Sequence, residues 1–337
     1  MNEMIKIALA PVIDSDGAWG GVWISGKPED ASLISTHAEL LGIDVGGLRI
    51  LLDLGAVPDA LAQALPAERT LIVVKSADAA VPAGFAKAVE GRDFIPNVTS
   101  QGQWDEAAGK GAAWFSGPYI AHPPVVEGKK DSSRATLLKL LTLIAEDADG
   151  TEIENVFKRE PELSFNLFRL VNSVSMGLKS KITTFNQAIM ILGRRQMQRW
   201  IQLMLYTRHQ QSTDVPNPLL QQAAMRARLM ERFAAAMAWD AHRQEQAFMV
   251  GIFSLLDTLL GMSMPEILAI IKLPDEVQAA LLGEPGELGD MLKLVVALQA
   301  GAQPIAVPDF LSLTAEQFAD CQFDALKWAA GMSQEMG

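Results

Sequence analysis

Two periods of hydrophobic residues divide the chain. As far as about Pro124, short apolar runs alternate with amphipathic stretches. The runs Lys6–Ala10, Gly21–Ile24, Leu48–Leu54, Thr70–Val74, Phe94–Val98 and Ala112–Phe115 predict strands. Glu29–Leu41, Pro58–Leu65, Pro82–Glu90 and Trp104–Gly109 predict helices between them. Strands alternating with helices imply a largely parallel α/β sheet. The first two strands are an exception, because DSDGAWG with Asp16-Gly17 at its centre is a hairpin turn. The stretch HPPVVEGKKDSSRA, rich in Pro, Gly, Ser and charge, reads as a linker. The pattern therefore predicts an α/β region over 1–125, a linker over 126–134 and an all-helical region over 135–337.

Every element after the linker has the helical period. Thr151-x-x-Glu154, Ser263-x-x-Glu266 and Thr314-x-x-Gln317 are capping-box signatures, and Asn217-Pro218 supplies a cap followed by proline at the first helical position. Pro274–Leu282, Leu288–Ala300 and Phe323–Met332 are further helices. The stretch Pro161–Tyr206 packs three helices in close succession. Leu163, Leu167, Leu170, Val171 and Val174 share the apolar face of the first, and Gly177 can stop it. Phe185, Ala188, Ile189 and Leu192 line the second, which ends at Gly193, and Trp200, Leu203 and Leu205 mark the third. No nucleophile or metal-ligand set stands out there, so the stretch describes packing.

The order of these pieces carries a resemblance. The proline-led helix, the Asn172-Ser173 pair and the helix from Ile182-Thr183 to Leu192-Gly193 resemble the HD-related output domain, HDOD. This is an all-helical bacterial signalling module related to metal-dependent HD phosphohydrolases, and the likeness runs to about residue 285. It implies that AFMVGIFSLLDTLLG corresponds to the helix on which active HD enzymes carry adjacent His and Asp, holding a metal that activates water. Ser254 and Leu255 stand at those positions. Leucine has no donor atom and a neutral hydroxyl replaces imidazole poorly, so the metal site is expected to be erased. Asp257 remains, and Ser254, Asp257, Thr258 and Gly261 fall at i, i+3, i+4 and i+7. This polar stripe reads as hydrogen-bonded packing against a neighbouring helix. The competing reading is a residual small-ligand pocket formed by Ser254 and Asp257 with Asn172 and Ser173. The Asn172-Ser173 pair also suits a helix-terminal cap.

The first region has a likeness of its own. LAPVIDSDGAWGGVWIS resembles the opening hairpin of EAL domains, the cyclic di-GMP phosphodiesterase barrels, and AAWFSGPYIAHPP resembles their closing strand. The signature glutamate would fall near Val22-Trp23-Ile24, where there is none. No paired-aspartate motif precedes Phe115, and the region is far shorter than the about 250 residues of an eight-fold barrel. The resemblance implies a truncated descendant without metal.

Composition narrows the function classes. A chain of 337 residues, 49% hydrophobic and 20% charged, can bury a sizeable core. Its net charge of −12 opposes a broad electrostatic hold on nucleic acid. Arg194, Arg195 and Arg199 cluster, and they read as a solvated face. A lone cysteine, Cys321, excludes an intramolecular disulfide and a multi-cysteine metal site, and it suits a reducing compartment. His37, His122, His209 and His242 are scattered without ligand spacing, as surface or cap histidines would be. MNEMIKIALAPVID lacks the basic start and long core of a signal peptide, and AFMVGIFSLLDTLLGM is short for a bilayer and contains Asp257. A cytoplasmic location is expected.

The sequence thus predicts an α+β multidomain protein: a reduced α/β domain, partly like an EAL barrel, followed by an all-α HDOD domain. The expected function is that of a non-enzymatic bacterial signal-transduction adaptor. It would have no catalytic residues, metal or cofactor, and a protein partner rather than nucleic acid or membrane. The alternative is a small-molecule or nucleotide sensor using the residual pocket.

Overall fold

The computed structural model describes residues 5–45, 47–122, 138–140, 142–143, 150–158, 218–271, 273–301, 305 and 307–336, and between 187 and 206 the positions 187, 190, 193, 198–199, 201–203 and 206. In the first part seven strands form one sheet: β1 (Ile7–Asp14), β2 (Trp19–Gly26), β3 (Arg49–Asp53), β4 (Thr70–Val74), β5 (Ala86–Val89), β6 (Phe94–Ile95) and β7 (Trp114–Phe115). Their order is β5-β4-β3-β2-β1-β7-β6. The β1–β2 and β1–β7 pairings are antiparallel, and the other four are parallel. The hairpin is set by Asp14, whose Oδ1 accepts from the backbone N–H of Asp16 and Ala18 at 3.0 and 2.9 Å.

The sheet curls almost into a barrel. Val12, Trp23, Leu51, Val73, Ala88 and Phe94, one from each of β1 to β6, form an apolar cluster of their own. Trp23 on β2 and Phe94 on β6 are three strands apart in the order, which in a flat sheet would separate them by about 14 Å. Their rings meet edge to face with centroids 5.2 Å apart. A parallel bridge between Glu90 and Phe94 joins the two ends of the strand order. The alternate residues, among them Leu9, Val22, Ile24, Ile50, Leu52 and Ile72, face outward into the main core.

Four short helices accompany this sheet: α1 (Ala31–Ser35), α2 (Asp59–Ala64), α3 (Gln101–Gly109) and α4 (Pro118–Ala121). Here the structure corrects the sequence reading of a reduced, EAL-barrel-like α/β domain. A (β/α)8 ladder needs a crossover between every pair of parallel strands. β1 is antiparallel to both of its neighbours, and the predicted helix Pro82–Glu90 is instead a strand, Ala86–Val89, paired with β4. The likeness to EAL domains at the two ends of the region does not extend to a barrel of that kind.

The second part is helical: α5 (Gly150–Lys158), α6 (Pro218–Ala236), α7 (Ala241–Phe253), α8 (Leu256–Leu260), α9 (Met264–Ile270), α10 (Asp275–Leu281), α11 (Glu287–Gln299) and α12 (Ala315–Met336). The Ser263/Glu266 capping box forms as predicted, and Thr314 and Gln317 exchange the same pair of bonds. Thr151 lies inside α5, already under way at Gly150. The predicted helices of Pro161–Tyr206 lie largely outside the described residues.

One hydrophobic core unites the two parts, running from Ile7 and Leu9 to Phe233 and Phe323. β1 shows how closely they are joined. β7 is only two residues long and covers β1 at Ile13 and Asp14, leaving the rest of that edge without a strand. The side chain of Gln322 on α12 lies there like a strand fragment. Its Oε1 accepts from Leu9 N at 3.0 Å and its Nε2 donates to Ile7 O at 3.1 Å, while Ser116 Oγ donates to Pro11 O at 2.9 Å. Buried backbone groups need such partners. Nearby, His37 stacks on Phe323 with centroids 4.1 Å apart and sets Nε2 3.0 Å from Asp320 Oδ1. Gly301, just past α11, lies so close to Trp23 that a Cβ there would meet the ring at 2.2 Å. Among the described residues, no helix is long and apolar enough to cross a membrane.

Candidate functional site

The site grows from a close approach of two helices. α6 and α7 touch at Gly251, where an added Cβ would lie 2.4 Å from Ala227 Cα. Glycine is required at that contact, and it draws the end of α7 against Arg226 on α6. Arg226 is completely buried. Its guanidinium reaches three separate elements: Nε donates to Gln299 Oε1 at the end of α11 (2.9 Å), Nη1 to Ser254 Oγ (2.8 Å), and Nη2 to the carbonyl of Ala121 at the end of α4 (2.6 Å). Ser254 in turn donates to Gly251 O at 2.7 Å, and Gln299 Nε2 to Gln222 O at 3.3 Å. Tyr206 OH donates to Ile252 O.

Electrostatics centre on this one cation. Burial lowers the Arg226 pKa to about 10, against the opposing pull of Tyr206 and Asp257. It remains charged at neutral pH. Burial raises the Tyr206 phenol far above its ordinary value, so that side chain stays neutral. His122, next to Ala121, sets Nε2 3.8 Å from Asp257 Oδ2. Burial and the Arg226 charge lower its pKa, with Asp257 acting the other way. Asp257 Oδ1 accepts from Thr258 N at 2.7 Å.

The residues expected from the sequence fare differently. Ser254 and Asp257 both belong to this cluster, while Asn172 and Ser173 lie outside the described residues. The polar stripe does not run along one helix. α7 ends at Ser254, Leu255 has φ −119° and ψ 15°, and α8 starts afresh at Leu256. Gly261 is the left-handed cap of α8, and Thr258 bonds locally to Asp257. The stripe is therefore split over two short pieces rather than lying on one helix face.

Arg226 and Gln299, the centre of the cluster, escaped the sequence reading. The signal was present: Gln222, Arg226, Leu229 and Phe233 follow one face of α6, so an arginine sits within an apolar stripe. His122 caps α4 at the surface, as expected of a cap histidine, and its ring also borders this cluster. Arg199 corrects the reading of a solvated basic face. It bonds Glu231 at 2.6 Å and Glu245 at 2.8 Å and lies 4.5 Å over the Phe248 ring. Burial disfavours its charge, but the two carboxylates carry its pKa above the ordinary value. Arg194, Arg195 and His209 lie outside the described residues.

The metal of active HD enzymes does not fit the described residues at Ser254 and Asp257. Ser254, at the position implied for a ligand, already accepts from a guanidinium, and a divalent ion beside Asp257 would meet the charge of Arg226 in a medium that screens it weakly. Among the described residues, no group of three or more His, Cys, Asp or Glu could hold a metal.

Comparison with known proteins agrees with the helical half. Residues 134–269 match the model of the HDOD domain, so the chain carries that domain. Over 235 residues it is 26% identical to the uncharacterized protein YuxH of Bacillus subtilis, covering 68% of this chain and 57% of YuxH. Over 205 residues it is 27% identical to the cyclic di-GMP phosphodiesterase CdgJ of Vibrio cholerae, covering 60% of this chain and 47% of CdgJ. The chain thus spans about half the length of these curated relatives. A solved structure of a putative phosphohydrolase from Shewanella amazonensis overlaps 60% of this chain and 93% of its own at 14% identity and a TM-score of 0.42, too distant to bear on fold or activity.

Proposed function

We propose that the chain is a non-enzymatic signal-transduction adaptor whose HDOD domain, within a helical region over 135–337, presents the output surface to a protein partner. The region over 1–125, with its curled seven-stranded sheet, is docked on it. The observation that carries this reading is Arg226, a built-in cation that ties Ser254, Gln299 and Ala121 together where the resemblance implied metal chemistry. The HDOD match and the likeness to CdgJ support a signalling role. CdgJ is named a cyclic di-GMP phosphodiesterase, but the matched segment is 47% of it, so that activity does not transfer to these residues.

The test is to assay the whole chain with Mn2+ or Mg2+ against cyclic di-GMP and a generic phosphodiester. The expected rate equals that of the Asp257→Ala variant. Turnover by the wild type that disappears in Asp257→Ala would overturn the proposal.

One observation favours a second reading, a small-molecule or nucleotide sensor: Asp257 and His122 face each other at 3.8 Å and are partly open to solvent. A residual pocket of Ser254, Asp257, Asn172 and Ser173 would then give ligand-dependent thermal stabilisation that Asp257→Asn removes.

A further inference from the structure

Away from the Arg226 cluster, a cavity of about 340 Å³ opens where the β1–β2 turn, α3, α4 and the first turn of α6 meet. Its walls include Asp16, Gln101, Trp104, Tyr119, Leu219 and Gln222. The size falls in the range of small-molecule sites, which are mostly apolar with a few convergent polar groups. Two features decide what would fill it.

The first is Gln222. It is only 4% exposed, and among the described residues its Oε1 has no hydrogen-bond partner. A buried carbonyl oxygen left unpaired is costly, so this wall is complete only when a donor approaches it. The second is charge. Among the described residues of the lining, Asp16 is the one acidic side chain and there is no lysine or arginine. Gln101 is already occupied, accepting from Tyr119 OH and donating to Asp105 Oδ1 at 2.8 Å. Trp104 stacks one face on Phe115 at 4.2 Å and holds the aromatic wall in place. An anion would meet repulsion from Asp16 and, among the described residues, no cation. A positive N–H donor with an apolar body would meet an acceptor, a carboxylate and two aromatic rings.

We propose that this cavity binds a small organic ammonium ion. Its nitrogen donates to Gln222 Oε1 under the influence of Asp16, and its hydrocarbon or aromatic body lies against Trp104 and Tyr119. The site is also coupled to the interior. The backbone carbonyl of Gln222, distinct from the side-chain Oε1, accepts from Gln299 Nε2, and Gln299 Oε1 accepts from Arg226. The residue that takes the ammonium is therefore two hydrogen bonds from Arg226 and its contact with α4.

The experiment uses the full chain and three probes of matched size: tryptamine, phenethylamine and the anion 3-indolepropionate. Calorimetric titration should show the two amines binding and the anion silent. Asp16→Asn should weaken the amines at least about tenfold, equivalent to about 1.4 kcal/mol. Gln222→Leu should lose them. If Gln222→Leu does not fold, Asp16→Asn, on the exposed turn, decides. No heat from either amine at about 5 mM, a range where even weak sites respond, overturns the proposal. So does equal binding of 3-indolepropionate, or unchanged affinity in Asp16→Asn.

Discussion

The barrel interior and the Arg226 cluster are both buried, yet they are made of opposite materials. The first is an apolar stack in which strands contribute single side chains, from Val12 to Phe94. The second holds a charged group whose three bonds reach partners 28, 73 and 105 residues away. An apolar stack can shrink or shift when one member changes. A buried cation with directional bonds cannot, because its removal strands every acceptor it served. The two cores should therefore respond differently to damage.

The sharpest test of that contrast is Arg226→Met, which keeps bulk and removes charge. Loss of about 3–5 kcal/mol is expected in chemical denaturation, since Ser254, Gln299 Oε1 and Ala121 O lose their donor. Phe94→Leu, a change of similar size in the barrel interior, should cost only about 1–2 kcal/mol. Equal losses from the two variants would erase the distinction.

The smallest effect concerns acid. The pKa of His122 is lowered in the folded chain, by burial and by Arg226, whereas the unfolded chain protonates near pH 6.5. Over that interval the unfolded state binds more protons, so stability falls as the pH drops below about 6.5 and levels off below the folded-state pKa. In His122→Asn this part of the acid slope should vanish. An unchanged slope would show that Asp257 offsets the cation completely.

How much of this was legible depended on the range of the interactions involved. The Asp14–Ala18 hairpin and the caps at Ser263 and Thr314 are local, with partners three or four residues away, and local chemistry can be read from neighbouring letters. The curl of the sheet could not be read this way. It depends on Trp23 meeting Phe94 and on an unexpected β5 in Ala86–Val89, four residues that show no alternation and have a helix-like composition. The candidate site was half visible. Ser254 and Asp257 stood out against apolar neighbours, but Arg226 is followed in its own helix by further charged residues, Arg228, Glu231 and Arg232. The face of Arg226, shared with Leu229 and Phe233, points inward, but the groups that receive it, Gln299 and Ala121, lie 73 and 105 residues away and could not be read from the helix. The break at Leu255 was hidden too, because SLLDTLLG has no proline or early glycine to interrupt it.

Gln322 has one more consequence, for the order of events at the ribosome. The first strand of the chain obtains two of its edge hydrogen bonds from a side chain 313 and 315 positions downstream. At a synthesis rate of about 5–20 residues per second, that partner emerges roughly 15 to 60 s after β1 does. For that interval the nascent edge from Ile7 to Leu9 is open to whatever strand it meets first, and the window closes only when α12 is released and docks.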